Sequence, residues 1–185
     1  MKNKFVVLVA LLACAVVAAA QAAEPVAAKK WMAGTELDLV PFANGGYYTS
    51  AVLGYGRLRA RCVLTGITTP AFYTQPGFRD NTMHVNAYIV DYYFRDGFKG
   101  WWVGPGYETW DGSVKEKSSG LKRSYRTSIV TLGGGYTFRI GDHFYINPWA
   151  ALHFPVGGDR NVDFVSKTYR LRAVPEASAK LGFNF

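Results

Sequence analysis

The sequence predicts an all-β chain closed into an antiparallel transmembrane β-barrel, most simply of eight strands. Three observations carry this. From Pro175 to Phe185 the residues alternate strictly: Ala177, Ala179, Leu181, Phe183 and Phe185 fall on one side of an extended strand, and Glu176, Ser178, Lys180, Gly182 and Asn184 on the other. Upstream, segments of strand character are separated by connections that are alternately long and short. Finally, aromatic residues make up 16% of the chain and there are 20 glycines, a composition that suits a membrane barrel with interfacial aromatic girdles and strands shaped by glycine.

Eight strands are expected in order. The first covers about 31–42 and turns at Ala43-Asn44-Gly45-Gly46; the second covers 47–53 and ends at Gly54-Tyr55-Gly56. The third, 57–67, leads into a loop over 68–81 that holds Pro70, Pro76 and Gly77. The fourth, 82–95, turns tightly at Asp96-Gly97, a hairpin signal. The fifth, 98–110, enters a charged loop over 111–124. The sixth, 125–140, turns at Gly141-Asp142, the seventh covers 143–154, and a loop over 155–172 precedes the terminal strand. Short turns follow the even strands and longer connections the odd ones, so one rim carries turns and the other carries loops, the asymmetry of a membrane barrel.

The beginning of the chain has the parts of a secretory signal peptide over residues 1–22: Lys2 and Lys4, an uncharged apolar run from Phe5 to Ala20, and the small-x-small site Ala20-Gln21-Ala22. Leu11-Leu12-Ala13-Cys14 is a poor lipoprotein box, because Leu12 is bulky and the apolar run continues past Cys14. Cleavage after Ala22 leaves residues 23–185, one domain's worth, with Cys62 as the remaining cysteine and no intramolecular disulfide. Without Lys2 and Lys4 the chain has 19 Lys and Arg against 13 Asp and Glu, a formal charge of +6.

The terminal strand, ending on Phe185 with Leu181 and Phe183 at alternate positions before it, resembles the C-terminal strand of Gram-negative outer-membrane β-barrels. In that class the alternating apolar positions and the final Phe are read by the barrel-assembly machinery. The resemblance implies export, integral residence in the cell outer membrane, and outer-membrane lipid and lipopolysaccharide as surroundings. It places the short turns in the periplasm.

Facing follows from energy. An arginine on the lipid side costs about 2–4 kcal/mol at the bilayer midplane, so Arg57, Arg59 and Arg61 are expected to point into the lumen and Leu58, Ala60, Cys62 and Leu64 to lipid. By the same alternation Val130, Leu132, Gly134, Tyr136 and Phe138 face out while Thr131, Gly133, Gly135 and Arg139 face in. On the seventh strand Phe144, Ile146, Pro148, Ala150, Leu152 and Phe154 face out, and Tyr145, Asn147, Trp149 and His153 face in. The fourth strand has Met83, Val85, Ala87 and Ile89 on one side but Tyr88, Val90, Tyr92 and Phe94 on the other, and a bulge near 87–89 would reverse its parity.

An eight-stranded lumen is just wide enough for side chains to fill. Its inward charges therefore have to meet: Glu36, Asp38, Asp91, Glu108 and Glu176 as acids, Arg57, Arg59, Arg61, Arg139 and Lys180 as bases. A structural salt-bridge plug is the plain reading of that set; a charged transport or catalytic site is the alternative. A second candidate site is a weak wall. Pro105 and Pro148 lack backbone donors on either side of Gly133-Gly134-Gly135, and Gly104, Gly106, Gly133 and Gly135 leave space beside Trp102, Tyr145 and Trp149 for lateral access of a small apolar molecule. Its alternative is that the prolines sit at bulges and the rings fill the space. A third is the outer basic surface, Lys115, Lys117, Lys122 and Arg123, facing lipopolysaccharide phosphates or merely solvated.

No catalytic or metal motif stands out. His84, His143 and His153 are on different strands, His84 and His153 are expected as exposed rim residues, and the Gly54-Tyr55-Gly56 and Gly104-Pro105-Gly106 pieces lack the context of a phosphate loop. No cofactor and no nucleic-acid partner is expected. The function classes left are a non-enzymatic barrel with a structural or small-hydrophobic-ligand role, a lipid A or phospholipid-modifying enzyme, and an adhesin acting through its loops.

Overall fold

A computed structural model describes residues 30–185; the proposed signal peptide lies outside the described residues. The elements are β1 (Trp31–Asp38), α1 (Leu39–Ala43), β2 (Tyr47–Tyr55), β3 (Leu58–Thr68), β4 (Phe78–Tyr93), β5 (Gly100–Glu116), β6 (Lys122–Ile140), β7 (Phe144–Gly158), β8 (Asn161–Asp163), β9 (Thr168–Arg170) and β10 (Val174–Asn184). Eight of the strands close into a barrel in the order β1-β10-β7-β6-β5-β4-β3-β2, with β8 and β9 forming a separate hairpin. Every pairing is antiparallel, and β1 completes the ring by pairing with β2 through Trp31↔Tyr55 and with β10 through Leu37↔Leu181. No helix among the described residues is long and apolar enough to cross a membrane.

Connections at 56–57, 94–99 and 141–143 define a turn rim, and those at 39–46, 69–77, 117–121 and 159–173 define a loop rim. At the first turn Gly56 takes φ +61°, a left-handed conformation that costs glycine nothing. The turn after β4 is longer than the Asp96-Gly97 pair alone: Phe98, expected to open a strand, instead has φ +52° and drops its ring inward against Tyr93 and Trp102. Burying that ring against two others offsets its backbone strain and closes the turn rim.

Several boundaries differ from the sequence reading, each for a local reason. The first strand stops at Asp38 rather than 42, because the Asp38 side chain accepts the Val40 N–H and caps the one-turn helix α1, in which Pro41 occupies the first turn. β4 starts at Phe78, and its irregularity lies between Arg79 and Thr82, where Asp80 has φ +52°, not at 87–89. From Thr82 to Tyr92 its pairing with β3 is regular, so Val85, Ala87, Asp91 and Tyr93 all face the lumen on one parity. The loop expected over 111–124 shrinks to 117–121, since β5 and β6 pair up to Lys115↔Lys122. β7 continues to Gly158, and the last loop contains the β8–β9 hairpin.

The inward and outward sets on β3, β6, β7 and β10 otherwise match the alternation read from sequence. Leu58, Leu64, Val103, Leu132, Phe138, Phe144, Leu152 and Leu181 are exposed on the outside. Inside, three layers fill the ring. Tyr93, Phe98 and Trp102 pack at the turn rim, Tyr48, Val63, Val85, Ala87, Trp110 and Ile129 nearer the loops, and Phe78, Val114 and Tyr125 against Val162 and Tyr169 of the hairpin.

Candidate functional site

The charged centre is built from four strands. Arg59 of β3 sits opposite Asp91 of β4 in register, and its Nε donates to Asp91 Oδ2 at 2.8 Å while its Nη1 donates to Glu36 Oε1 of β1 at 2.9 Å. Arg61, two residues on and on the same face, holds both oxygens of Asp91 through Nε at 2.8 Å and Nη2 at 2.9 Å, and reaches Glu36 Oε2 at 3.3 Å. The two carboxylates thus bridge the two guanidiniums, one a fork-on-fork pair. From β7, Tyr145 donates its hydroxyl to Glu36 Oε1 at 3.0 Å and Asn147 donates its amide there at 3.4 Å. Asn147 Oδ1 in turn accepts the indole N–H of Trp102 at 2.9 Å. Arg59 and Arg61 also lie over the Trp102 ring, at 5.8 and 5.1 Å from its centre. All four charged side chains are 2% exposed or less. Removing one of them would leave a net charge in the buried interior, which costs far more than the pair contributes net.

Beside this centre, Asp38 accepts the Trp149 indole N–H at 2.9 Å and the Ser178 hydroxyl at 2.5 Å, and the Lys180 ammonium stands 3.9 Å above the Trp149 ring. Glu36, Asp38 and Asp91 therefore face Arg59, Arg61 and Lys180 in equal number.

Four expected members are elsewhere. Arg57 belongs to the turn before β3 and pairs with Asp96 at 2.9 Å, partly exposed at the rim. Arg139 is also at the turn rim and donates to the Asp142 carbonyl; each lies too close to a turn to reach the middle of the lumen. Glu108 and Glu176 form a separate group with His153. His153, expected at an exposed rim, is 4% exposed, with Nδ1 3.3 Å from Glu108 and Nε2 3.0 Å from Glu176. Glu108 also accepts the Trp110 indole N–H at 2.7 Å. The sequence placed His153 inward by alternation; what it concealed was that the two acids arrive on β5 and β10, far apart in the chain. His84 is exposed, within 3.3 Å of the Tyr47 hydroxyl. No cluster of three His, Cys, Asp or Glu suited to a metal occurs among the described residues.

The expected weak wall divides differently. Pairing of β6 with β7 is interrupted opposite Pro148, between Gly135↔Trp149 and Phe138↔Ile146. Pro105 interrupts β4 and β5, between Ile89↔Gly106 and Tyr92↔Val103, while β5 and β6 pair unbroken through Pro105↔Leu132. The second seam is thus one strand away from the one expected, because the N–H that Pro105 lacks would have pointed to β4. Nor do the glycines leave space. A Cβ on Gly135 would lie 2.9 Å from the Trp102 ring, on Gly106 2.7 Å from Thr131, on Gly104 2.6 Å from the Asp91 carboxylate and on Gly133 3.2 Å from Ala151. Neighbouring side chains occupy what the glycines vacate.

At the loop rim, a small polar assembly ties three connections together. Tyr125 donates to Asn81 at 2.8 Å, and Asn81 donates to Tyr169 at 3.2 Å. Burial raises both tyrosine pKa values. Glu116 accepts from the Ser119 hydroxyl at 2.5 Å and from the Ser166 hydroxyl and N–H at 2.7 and 3.2 Å. Those hydroxyl bonds, with Ser119 the largest contributor, hold its carboxyl below the usual range. Gln75 and Arg170 exchange hydrogen bonds, linking the β3–β4 connection to β9. Lys115, Lys122 and Arg123 are on the β5–β6 hairpin and not in a loop, Lys117 is in the connection, and Arg123 leans over the Phe164 ring at 5.9 Å.

No protein family and no curated protein matches the chain. Among solved structures, it is similar to Neisserial surface protein A, with 12% identity, a TM-score of 0.48, and coverage of 84% of this chain and 93% of that one. It is also similar to the N-terminal β-barrel domain of Pseudomonas aeruginosa OprF, with 10% identity, a TM-score of 0.49, and coverage of 84% and 95%.

Proposed function

We propose that the chain is an integral outer-membrane barrel with a structural role, its lumen closed by side chains and its basic outer surface resting against lipopolysaccharide phosphates. The observation that carries this is the inversion of polarity. The charges are buried inside the ring while leucines, valines and aromatics are exposed outside it, the opposite of a protein that presents its surface to water. The shorter full strands, β2 with 9 residues and β3 with 11, have the length that a tilted strand needs to cross a bilayer, about 9–11 residues. At the turn rim Trp31 stacks near Tyr55, Trp101 meets Tyr136, and Phe144, Phe183 and Phe185 touch in sequence, an aromatic girdle of the kind that sits at a membrane interface. Leu181, Phe183 and Phe185 lie on that outer face, open to recognition by the assembly machinery.

Lys115, Lys117, Lys122 and Arg123 project from the opposite rim, where phosphate groups would meet them with charge-assisted contacts. Reconstituted protein should be heat-modifiable on gels and should add no ion conductance to a planar bilayer. A detergent-independent soluble monomer overturns the membrane reading, and a steady open channel overturns the closed lumen. Neutralising the four basic residues together should weaken lipopolysaccharide association in a salt-dependent way; unchanged association removes that contact from the reading.

A further inference from the structure

One seam of the barrel is paired over only half its height. β10 pairs with β7 from Phe183 to Val174, but its ladder with β1 ends at Asp38↔Lys180. Beyond that pair, among the described residues, no strand flanks Val174 to Ala179 on the β1 side, and the chain turns into α1 instead. The sequence dictates the stop. Phe185 donates its N–H to the Ala33 carbonyl, so the odd-numbered residues of β10 turn their donors toward β1. Continuing the register would set Pro41 against Ala177 and Ala43 against Pro175, and both prolines lack the donor that the ladder needs there.

Exposure of the inner wall rises at the same place. Where β1 lies alongside, the inward residues Lys180 and Asn184 are 2% and 4% exposed. Past the end of β1, inward Ser178 is half-buried and the Glu176 side chain is 39% exposed. On β7, Ala151 opposite Glu176 and His153 opposite Val174 are buried, as are inward Tyr48 and Ser50 on β2. The opening is therefore in the wall beside β10 and is not a general widening of the loop rim. It lies within the apolar belt, because exposed Leu152 pairs with Pro175 and exposed Phe154 extends beyond it. α1 packs against β10, β2 and β3, with Pro41 buried and Leu39 and Phe42 half exposed. The hydrogen bonds that shape this turn close within residues 38–46, and Gly45 follows it at φ +69°, so it can swing as one piece about its ends.

We propose that the loop half of the β1–β10 seam is a lateral portal stoppered by α1, through which a small uncharged lipophile dissolved in the membrane reaches the inner wall at Ser178 and Glu176. The position of the entrance sets the class of molecule: a charged solute would have to leave water to reach an opening set in the apolar belt, whereas a lipophile is already there. The portal ends blind. Arg59, Arg61, Glu36 and Asp91 interlock across the lumen toward the turn rim, so lateral access is compatible with a barrel that conducts no ions. The portal goes beyond the structural role and rests on the reading of the outer wall as lipid-facing.

The test places single thiols on the inner wall of the barrel folded into phosphatidylcholine vesicles, in a Cys62→Ala background. Glu176→Cys reports at the seam, Ser178→Cys is a second reporter there, and Ala151→Cys is the control at the same height on β7. The rate of alkylation by N-cyclohexylmaleimide, which enters the bilayer, is compared with that by a sulfonated, membrane-impermeant maleimide. Both seam thiols should react faster than the control, and faster with the lipophilic reagent than with the sulfonated one. Pro41→Val combined with Pro175→Val restores the two missing donors, lets β1 zip along β10, and should slow lipophilic labelling of the seam by about tenfold, the effect of one to two added backbone hydrogen bonds. Equal labelling of seam and control, faster labelling by the sulfonated reagent, or an unchanged rate in the double proline variant overturns the portal. Failure of the membrane reading would show separately, as folded protein that does not enter the vesicles.

Discussion

The lumen is filled by different chemistry at its two ends. Toward the turn rim, Glu36, Asp91, Arg59 and Arg61 interlock by hydrogen bonds of 2.8–3.3 Å under a cover of Trp102 and Tyr145. Toward the loops, Val63, Val85, Ala87, Trp110 and Ile129 pack as an apolar cluster would in a soluble core. The same ring of strands accepts both because each carboxylate of the ionic half touches both guanidiniums, while in the apolar half the Trp110 indole N–H donates to Glu108. They should fail in different ways. A missing carboxylate leaves two guanidiniums sharing one acid, while a missing methyl group leaves a void.

Replacing Asp91 with Ala tests the ionic half at its most connected point. Both arginines lose Asp91 and are left to share Glu36, and a loss of about 3–5 kcal/mol is expected from breaking a buried pair on one side, read as a lower urea midpoint in vesicles. Removing one acid and one base together should be milder than the single change, because Arg59 and Asp91 stay paired, so Glu36→Gln combined with Arg61→Gln should cost less than Asp91→Ala despite touching more residues. In the apolar half Ile129→Ala should cost about 2–4 kcal/mol by transfer and cavity terms, with no such rescue from a second substitution. If Asp91→Ala proves milder than Ile129→Ala, the ionic centre is wetter than its burial implies.

Legibility divided along the same line. Arg59, Arg61, Glu36, Asp91 and Lys180 were readable because a charge on a strand facing lipid is prohibitive, which fixes parity from a single residue. The apolar half was harder. Where both faces of β4 carry Val, Ile or Ala, alternation stops distinguishing inside from outside, and a bulge at 87–89 was the simplest repair; the ladder is in fact regular there and the bulge lies at Arg79–Thr82. The extension of β5 and β6 past the expected loop was hidden for another reason. Asp111, Lys115, Lys122 and Arg123 are charged as loop residues are, but the hairpin projects beyond the apolar belt, where charge no longer argues against a strand. The His153 group escaped because Glu108 and Glu176 reach it from strands that only the closed ring brings together.

A smaller effect probes the outer assembly. Glu116 has a carboxyl held below its ordinary value by hydroxyl bonds from Ser119 and Ser166. Its contribution is therefore present above the unfolded pKa of about 4.3 and is lost as pH falls through the lower folded value. Protection of the β8–β9 hairpin amides, relative to their intrinsic exchange rates, should fall on acidification below about pH 4, with Glu116→Gln already less protected at neutral pH. Protection that is insensitive to both would detach Glu116 from the hairpin. Smallest of all should be Arg57→Ala at the turn rim: its partly exposed pair with Asp96 predicts a change of no more than about 1 kcal/mol, against the several expected two residues away at Arg59.

All of these contrasts assume that the exposed outer face meets lipid. Cys62 offers a direct reading of that face, because it lies outward in β3 between Ala60 and Leu64 and is exposed. With the protein folded into phosphatidylcholine vesicles and an environment-sensitive fluorophore on Cys62, lipids brominated along their acyl chains should quench the emission strongly and aqueous iodide should not. Quenching by iodide with no effect of the brominated lipids would place this face in water and contradict the inverted barrel.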